Sequence, residues 1–383
     1  MSELQPNPPL APTRRAEIAT AIYEAIRTCF AHWEAIPDFD LDRNFRIYLE
    51  EAFGAGDRYG FDLATLCFVA SLSNGHTAFG DEWLWREHGA PLGFDAKLDQ
   101  DGWQVTRSAI DALVPGERIA GINGEPIALL AAEQMKFVSG SSLPEKAHRL
   151  FSRPYLFPTA FVIETTDGRT SWIERGSTLP ELPAEPSGRW IDYDRCFLLS
   201  IPSFAEPRFE LQAIELLRPL HDNVHLIVDV RGNSGGSTPC ELVAALMPTC
   251  YRYWTYTTPV SNGLDRALGM LSSMTVTEAS WIEPRSSAFG GPLTIVVDGG
   301  TFSAAEDFVM PFKDNARARI VGKPTGGSSG QPYFRDLGDG MRLWVSAKRQ
   351  YLPDETPFEG IGIQPDMIWS YQECQKLLIN GAK

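Results

Sequence analysis

The chain has 383 residues, 43% of them hydrophobic and 22% charged, an ordinary globular composition with length enough for two or three domains and a sizeable core. With 34 basic residues against 49 acidic ones, the net charge is −15. That excludes the positive field a nucleic-acid binder needs and disfavours an anionic membrane as partner. No apolar run approaches the roughly 18 residues of a membrane span. The polar, Pro-rich opening MSELQPNPPLAPTRRAEIA lacks the apolar heart of a secretory signal, so the expectation is a cytoplasmic protein unless a signal segment has been removed. Six cysteines (Cys29, Cys67, Cys196, Cys240, Cys250, Cys374) are scattered without a C-x-x-C pair. No metal site is expected, and the thiols read as buried and reduced.

Residues 1–13 read as a disordered leader. Residues 14–80 read as an N-terminal helical bundle. Ile18, Ile22, Ile26, Phe30 and Trp33 recur at helical spacing, and two further helical patterns follow, LDRNFRIYLEEAF and DLATLCFVASLS. The last of these stops at Asn74-Gly75, and His76 comes next. Residues 90–170 change character to short strands, Gly turns and one helix, IALLAAEQMKFV. Residues 171–190 read as a Pro-rich, extended linker. Residues 191–383 alternate strand and helix. VHLIVDV and LTIVVD are continuous apolar runs, as strands buried on both faces should be, so this part reads as an α/β core of βαβ units with a largely parallel sheet.

Gly-rich turns follow both buried strands, VDVRGNSGGS and VVDGGTFSAAED. Ligands bind at the carboxyl ends of strands in such sheets, so both turns are expected at one crevice. Ser303 stands between strand and helix, where free N–H groups and the helix dipole favour negative charge. It is either a nucleophile whose attack creates an oxyanion or an N-cap, with Glu306 completing a capping box. Neither turn has the spacing of a phosphate-binding loop. A serine nucleophile needs a base, ordinarily histidine. His221 and His225 sit at the amino end of a strand, His32 lies in a helical stretch, and His76 occupies the loop SNGHTAFG. A lone loop histidine is ordinarily a solvated one, so His76 carries no functional assignment from its local sequence alone.

Together these segments resemble the carboxyl-terminal processing (tail-specific) serine proteases. VDVRGNSGG is similar to that family's strand-turn motif, DGGTFSAAEDF to its nucleophile segment, GKPTGGSSGQ to the segment after it, FEGIGIQPD to its closing motif and SNGHTAF to its "DGHT" segment, with Asn74 in place of Asp. The resemblance implies a crotonase-like protease core and, over residues 90–170, a PDZ-like domain. Its peptide-binding loop would be Leu92, Gly93 and Phe94. One branch of the family uses a lysine base in a T-x-G-K-G segment. Here that segment reads Thr325-Gly326-Gly327-Ser328-Ser329, and Lys323 falls five residues early. The chain is closer in pattern to the branch of the tricorn core and the interphotoreceptor retinoid-binding protein. That likeness implies Ser303 as nucleophile, His76 as base and Glu359 as the acid orienting it, with Glu306 the competitor for the acidic role. It also implies an oxyanion hole from the backbone N–H groups of Gly235 and Ala304. Tricorn has a serine before its histidine; here Gly75 stands there, and Ser73 is the nearest substitute. The implied activity is hydrolysis of peptides or unfolded protein tails through an acyl-enzyme, without cofactor. The alternative is a non-catalytic binder of an apolar ligand or peptide on the same fold.

Overall fold

The computed structural model describes residues 10–99, 101–260 and 273–380. Most of the expected leader, residues 1–9, lies outside them. Its end does not, because a helix begins at Pro12, where proline's fixed φ suits a first helical position. The chain forms two units. One comprises Met1–Glu181, Pro259–Met274 and Gln331–Ala347; the other comprises Leu182–Thr258, Thr275–Gly330 and Lys348–Lys383.

In the first unit, helices Pro12–Cys29, Leu41–Gly54 and Arg58–Ala70 bury Ile18, Ile22, Ile26, Tyr48 and Phe61. Aspartates start two of them, with Asp40 accepting from the Arg43 N–H and Asp57 from the Gly60 N–H. The strand-rich region forms an antiparallel sheet in the order Phe94–Asp99, Gly102–Ser108, Arg118–Ile122, Ala160–Thr165, Thr170–Glu174. Helix Leu143–Leu150, capped by Ser142, packs against its first strand. Helical and strand-rich regions share one continuous apolar core. Strand Thr170–Glu174 also runs into the expected linker. A hairpin from the expected catalytic segment, Pro332–Gly338 and Met341–Ser346, belongs here too, because Met341–Ser346 pairs antiparallel with Ala78–Asp81.

The second unit is built on a sheet ordered Met367–Ile368, Arg319–Gly322, Leu293–Val297, His225–Asp229, Cys196–Ser200, Ser187–Asp192. Its first five strands are mutually parallel and only the edge strand Ser187–Asp192 is antiparallel. The parallel character is confined to this sheet, so the chain as a whole is a mixed α/β structure. Every residue of Leu293–Val297 is buried, as its apolar run requires. Helices Pro207–Leu217, Cys240–Leu246 and Ala304–Asp314 supply the apolar cover. No cysteine forms a disulfide; Cys196 and Cys374 are buried, but Cys240 and Cys250 are exposed and the other two half-buried, which corrects the expectation of uniformly buried thiols. No helix of the described residues is long and apolar enough to cross a membrane.

Candidate active site

Ser303 sits where the turn after Leu293–Val297 enters helix Ala304–Asp314, at φ +55° and ψ −123°. A residue with a Cβ rarely adopts this conformation, and it persists only where neighbours over-determine it. They do. The Ser303 N–H donates to Ser328 O and to Glu306 Oε2, both at 3.2 Å. The Phe302 N–H donates to Asn233 O at 2.9 Å, and Thr301 Oγ1 donates to Val230 O at 2.9 Å. The two Gly-rich turns are therefore tied to each other. A Cβ on Gly235 would lie 2.8 Å from Ser303 Cβ, Ala304 N and Phe302 O; only glycine permits that approach.

The two expected oxyanion donors differ. The Ala304 N–H, first in its helix, finds no acceptor among the described residues, as the first N–H of a helix ordinarily does not. The Gly235 N–H donates to Asn233 Oδ1 at 2.9 Å. It is buried, and a buried N–H must find an acceptor; in this conformation it serves the turn rather than an incoming ligand. Asn233 is itself fixed through Nδ2 to Ile201 O at 3.0 Å.

Glu306 is fully buried. Oε1 accepts from Thr325 Oγ1 at 2.5 Å and the Gly327 N–H at 2.8 Å; Oε2 accepts from the Ser328 N–H at 3.1 Å besides Ser303. Burial raises its proton affinity well above the carboxylate norm, and these donors pull the other way. The carboxyl thus knits the nucleophile turn to Thr325–Ser328 as a structural hub. The closing segment packs on the same loop, with the Gly360 N–H to Gly327 O at 2.6 Å and the Ile363 N–H to Thr325 Oγ1 at 2.7 Å. That contact brings Glu359 to the loop, where Oε1 accepts from Ser328 Oγ at 2.7 Å. Asp307, one residue on, gathers Trp254 Nε1 (2.7 Å), Ser329 Oγ (2.9 Å) and Thr238 Oγ1 (2.7 Å). Lys323 is exposed.

His76 belongs to the first unit. Asn74 does the work expected of an aspartate there, its Oδ1 accepting from the His76 N–H and from Thr77 Oγ1, each at 3.0 Å. Thr77 Oγ1 in turn accepts the Ser346 N–H at 3.0 Å. Gly75 is held by helix Leu143–Leu150 and the segment before it: its N–H donates to Ser141 Oγ at 2.8 Å and its O accepts from Arg149 Nη1 at 2.9 Å. Desolvation first, and the Arg149 guanidinium second, hold the His76 imidazole down at about 3, so at ordinary pH it is the neutral ring a base requires. The other histidines have structural partners: His32 with Ser346, His148 with Lys97, His225 with Thr294, His221 with Asp194, and His88 against Tyr59 and Trp83. Leu92 and Phe94 are buried, and Gly93 has φ +81° with its carbonyl accepting the Ala109 N–H at 2.8 Å.

Sequence reasoning did not single out Ser328, Asn233, Glu145 or Arg149. Ser328 alone carried a signal, since it stands where the related segment has its lysine.

A strained serine thus stands at a helix start, beside a glycine turn and after the carboxyl end of a parallel strand. Residues 196–369 match the model of peptidase family S41. Carboxyl-terminal-processing peptidase 2, chloroplastic, of Arabidopsis thaliana is 28% identical over 285 residues, 73% of this chain and 50% of that protein. The Carboxy-terminal-processing protease of Bartonella bacilliformis is 31% identical over 77 residues, 20% of this chain and 18% of that one. The chain thus spans half the length of the first relative and less of the second. Among solved structures, mature CPAF superposes with a TM-score of 0.71 at 12% identity, covering 96% of this chain and 95% of that one. The photosystem II D1 C-terminal processing protease gives 0.56 at 17% identity, covering 94% of each. At these identities the likeness is one of fold.

Proposed function

We propose that this chain is a serine peptidase that hydrolyses peptide bonds in peptides or unfolded protein tails. The observation carrying this reading is the strained Ser303, held at a helix N-terminus against the Gly235 turn. Ser303 Oγ attacks the scissile carbonyl. His76 takes its proton and later gives it to the leaving amine. Glu359 orients the imidazole and stabilises its charged form. The Ala304 N–H and the helix dipole receive the developing oxyanion, each such donor being worth about 10²–10³ in rate; the Gly235 N–H joins once Asn233 releases it. In the first unit, the antiparallel sheet of residues 94–174 acts as a PDZ-like module on a crotonase-like core's partner unit, its loop Leu92–Phe94 taking a peptide's carboxylate end and the edge strand Phe94–Asp99 taking the peptide as an added strand.

Three features support the triad over a pure binder: the matched family, a neutral histidine, and a second carboxylate linked through Ser328 to the serine turn. The test is Ser303→Ala, assayed for cleavage of denatured casein and for labelling by a fluorophosphonate probe. Both should vanish. Undiminished cleavage by the variant would overturn Ser303 as the nucleophile, and a wild type that neither cleaves nor labels would leave the ligand-binding reading.

A further inference from the structure

The lysine-bearing segment of related proteases here carries serine at position 328, and that serine is no surface replacement. Ser328 has no solvent exposure. It makes three hydrogen bonds that converge on the proposed machinery. Its Oγ donates to Glu359 Oε1 at 2.7 Å, its carbonyl accepts the Ser303 N–H at 3.2 Å, and its own N–H donates to Glu306 Oε2 at 3.1 Å. The flanking Thr325 and Gly327 are pinned by the same Glu306 carboxyl, so the backbone at 328 has little freedom to shift. Its hydroxyl therefore presents a fixed donor.

We propose that Ser328 is a positioning residue for Glu359: it fixes one carboxylate oxygen so that the group can meet a histidine in a single orientation, and it ties that orientation to the nucleophile turn. This deepens the peptidase reading and rests on it. The chemical logic follows from what a carboxylate needs. Glu359 stands just before Gly360-Ile361-Gly362, in a loop rather than a helix or strand. A long side chain on a loop samples several rotamers unless something holds it, and misplacement of a catalytic group by about 1 Å can cost 10²-fold in rate. A charge-assisted O–H···O⁻ bond is the stronger kind of hydrogen bond and specifies direction. A lysine at 328 would place a cation beside the serine turn; a serine there cannot serve as the base, but can hold the acid that orients one.

The experiment is a double-mutant cycle in the full chain on denatured casein: Ser328→Ala, Glu359→Gln and both together, with Ser303→Ala as reference. The expected result is that Ser328→Ala lowers kcat by about ten- to a hundredfold with KM within about twofold, and that the loss is non-additive. In the Glu359→Gln background, Ser328→Ala costs little more. Thermal melting of Ser328→Ala close to the wild type accompanies this; a large drop in melting with kcat unchanged in the surviving fraction would overturn the proposal, as would a wild-type kcat or fully additive losses. Cleavage persisting in Ser303→Ala would instead sink the Ser303 mechanism on which this role rests. An inactive Ser303→Ala with an unaffected Glu359→Gln would sink the positioning role alone.

Discussion

Replacing Gly75 with alanine puts one methyl group into the tightest spot beside the proposed base. A Cβ there would lie 2.2 Å from Glu145 Oε1 and 3.0 Å from its Cδ, whereas non-bonded heavy atoms settle at about 3.5–4.0 Å. The carboxylate is not at liberty to swing aside. Oε1 pairs with Arg149 Nη2 at 2.6 Å, Oε2 accepts the Ser141 N–H at 2.6 Å, and the Glu145 side chain is 2% exposed. Making room means parting a buried ion pair, which costs about 3–5 kcal/mol. Restricting the unfolded chain at a former glycine returns about 0.4–1 kcal/mol. The net expectation is a loss of about 2–4 kcal/mol, read by chemical denaturation with a probe placed in the first unit, since a chain of two units need not unfold in one step. Glu145→Asp draws the carboxylate back by a methylene, and in combination with Gly75→Ala should recover a good part of the loss. Because Arg149 also holds Gly75 O, casein cleavage should fall with stability if His76 is the base. A Gly75→Ala protein with wild-type stability and activity would show that Glu145 is not fixed there and would refute the reasoning.

Two titrations should bend stability in opposite directions. Asp62, wholly buried beside Asp81, which Arg58 grips at 2.8 and 2.9 Å, is pushed from 3.8 up to about 9 by desolvation and then by the Asp81 charge. The folded chain keeps a proton that the unfolded one releases, so stability falls as pH rises through that window. Asp62→Asn should raise the melting midpoint more at pH 8 than at pH 5; an equal gain at both would count against it. His76 runs the other way: held at about 3, it refuses a proton that the unfolded chain binds below about 6.5, so stability falls as pH drops through that range. Its ring signals in NMR should not titrate down to pH 4, and Arg149→Met should lift the titration by removing the second cause; a wild-type ring titrating near 6.5 would contradict the burial argument. Glu306→Gln puts an amide donor against two of four donors and should cost at least about 2 kcal/mol. Unchanged stability would mean that the carboxyl already carries a proton.

What could be read without coordinates follows from range. The runs VHLIVDV and LTIVVD are apolar at every position because both faces of a central parallel strand are covered, and the two strands lie side by side as expected. Asp40 and Asp57 cap helices three residues from the N–H they serve, whereas helix Arg58–Ala70 ends on Ser71, before the expected Asn74-Gly75 stop. By contrast, the hairpin Pro332–Ser346 looks like part of the βαβ alternation. It joins the first unit through Ala78–Asp81, whose pairing with Met341–Trp344 joins residues far apart in the chain, and through contacts such as Arg14 with Asp339 and His32 with Ser346. No local pattern encodes that choice. Helix Leu143–Leu150 is about two turns long and starts on Leu143-Pro144 next to a Ser-rich run, too short for periodicity to declare it. Yet it carries Glu145 and Arg149, the pair that fixes Gly75.

The site shows the same division between local and distant causes. Ser303 draws attention in the sequence because its helix start and its neighbouring glycines lie within a dozen residues of chain, whereas the contacts that hold its strained conformation come from Ser328 and Asn233. Glu306 is ambiguous from sequence because an N3 glutamate caps in either role; only the arrival of Thr325 and Gly327 at the same carboxyl makes it a hub. The assignment of the acid therefore turns on partner geometry. Glu306 faces donors only, each from a backbone or hydroxyl that would be stranded without it, whereas Glu359 Oε1 is met by one serine hydroxyl. A group spent on holding four donors is poorly suited to steady a charge that appears and disappears during turnover. On this argument removing the Glu306 charge should damage folding and activity together, while removing that of Glu359 should damage activity and spare the fold.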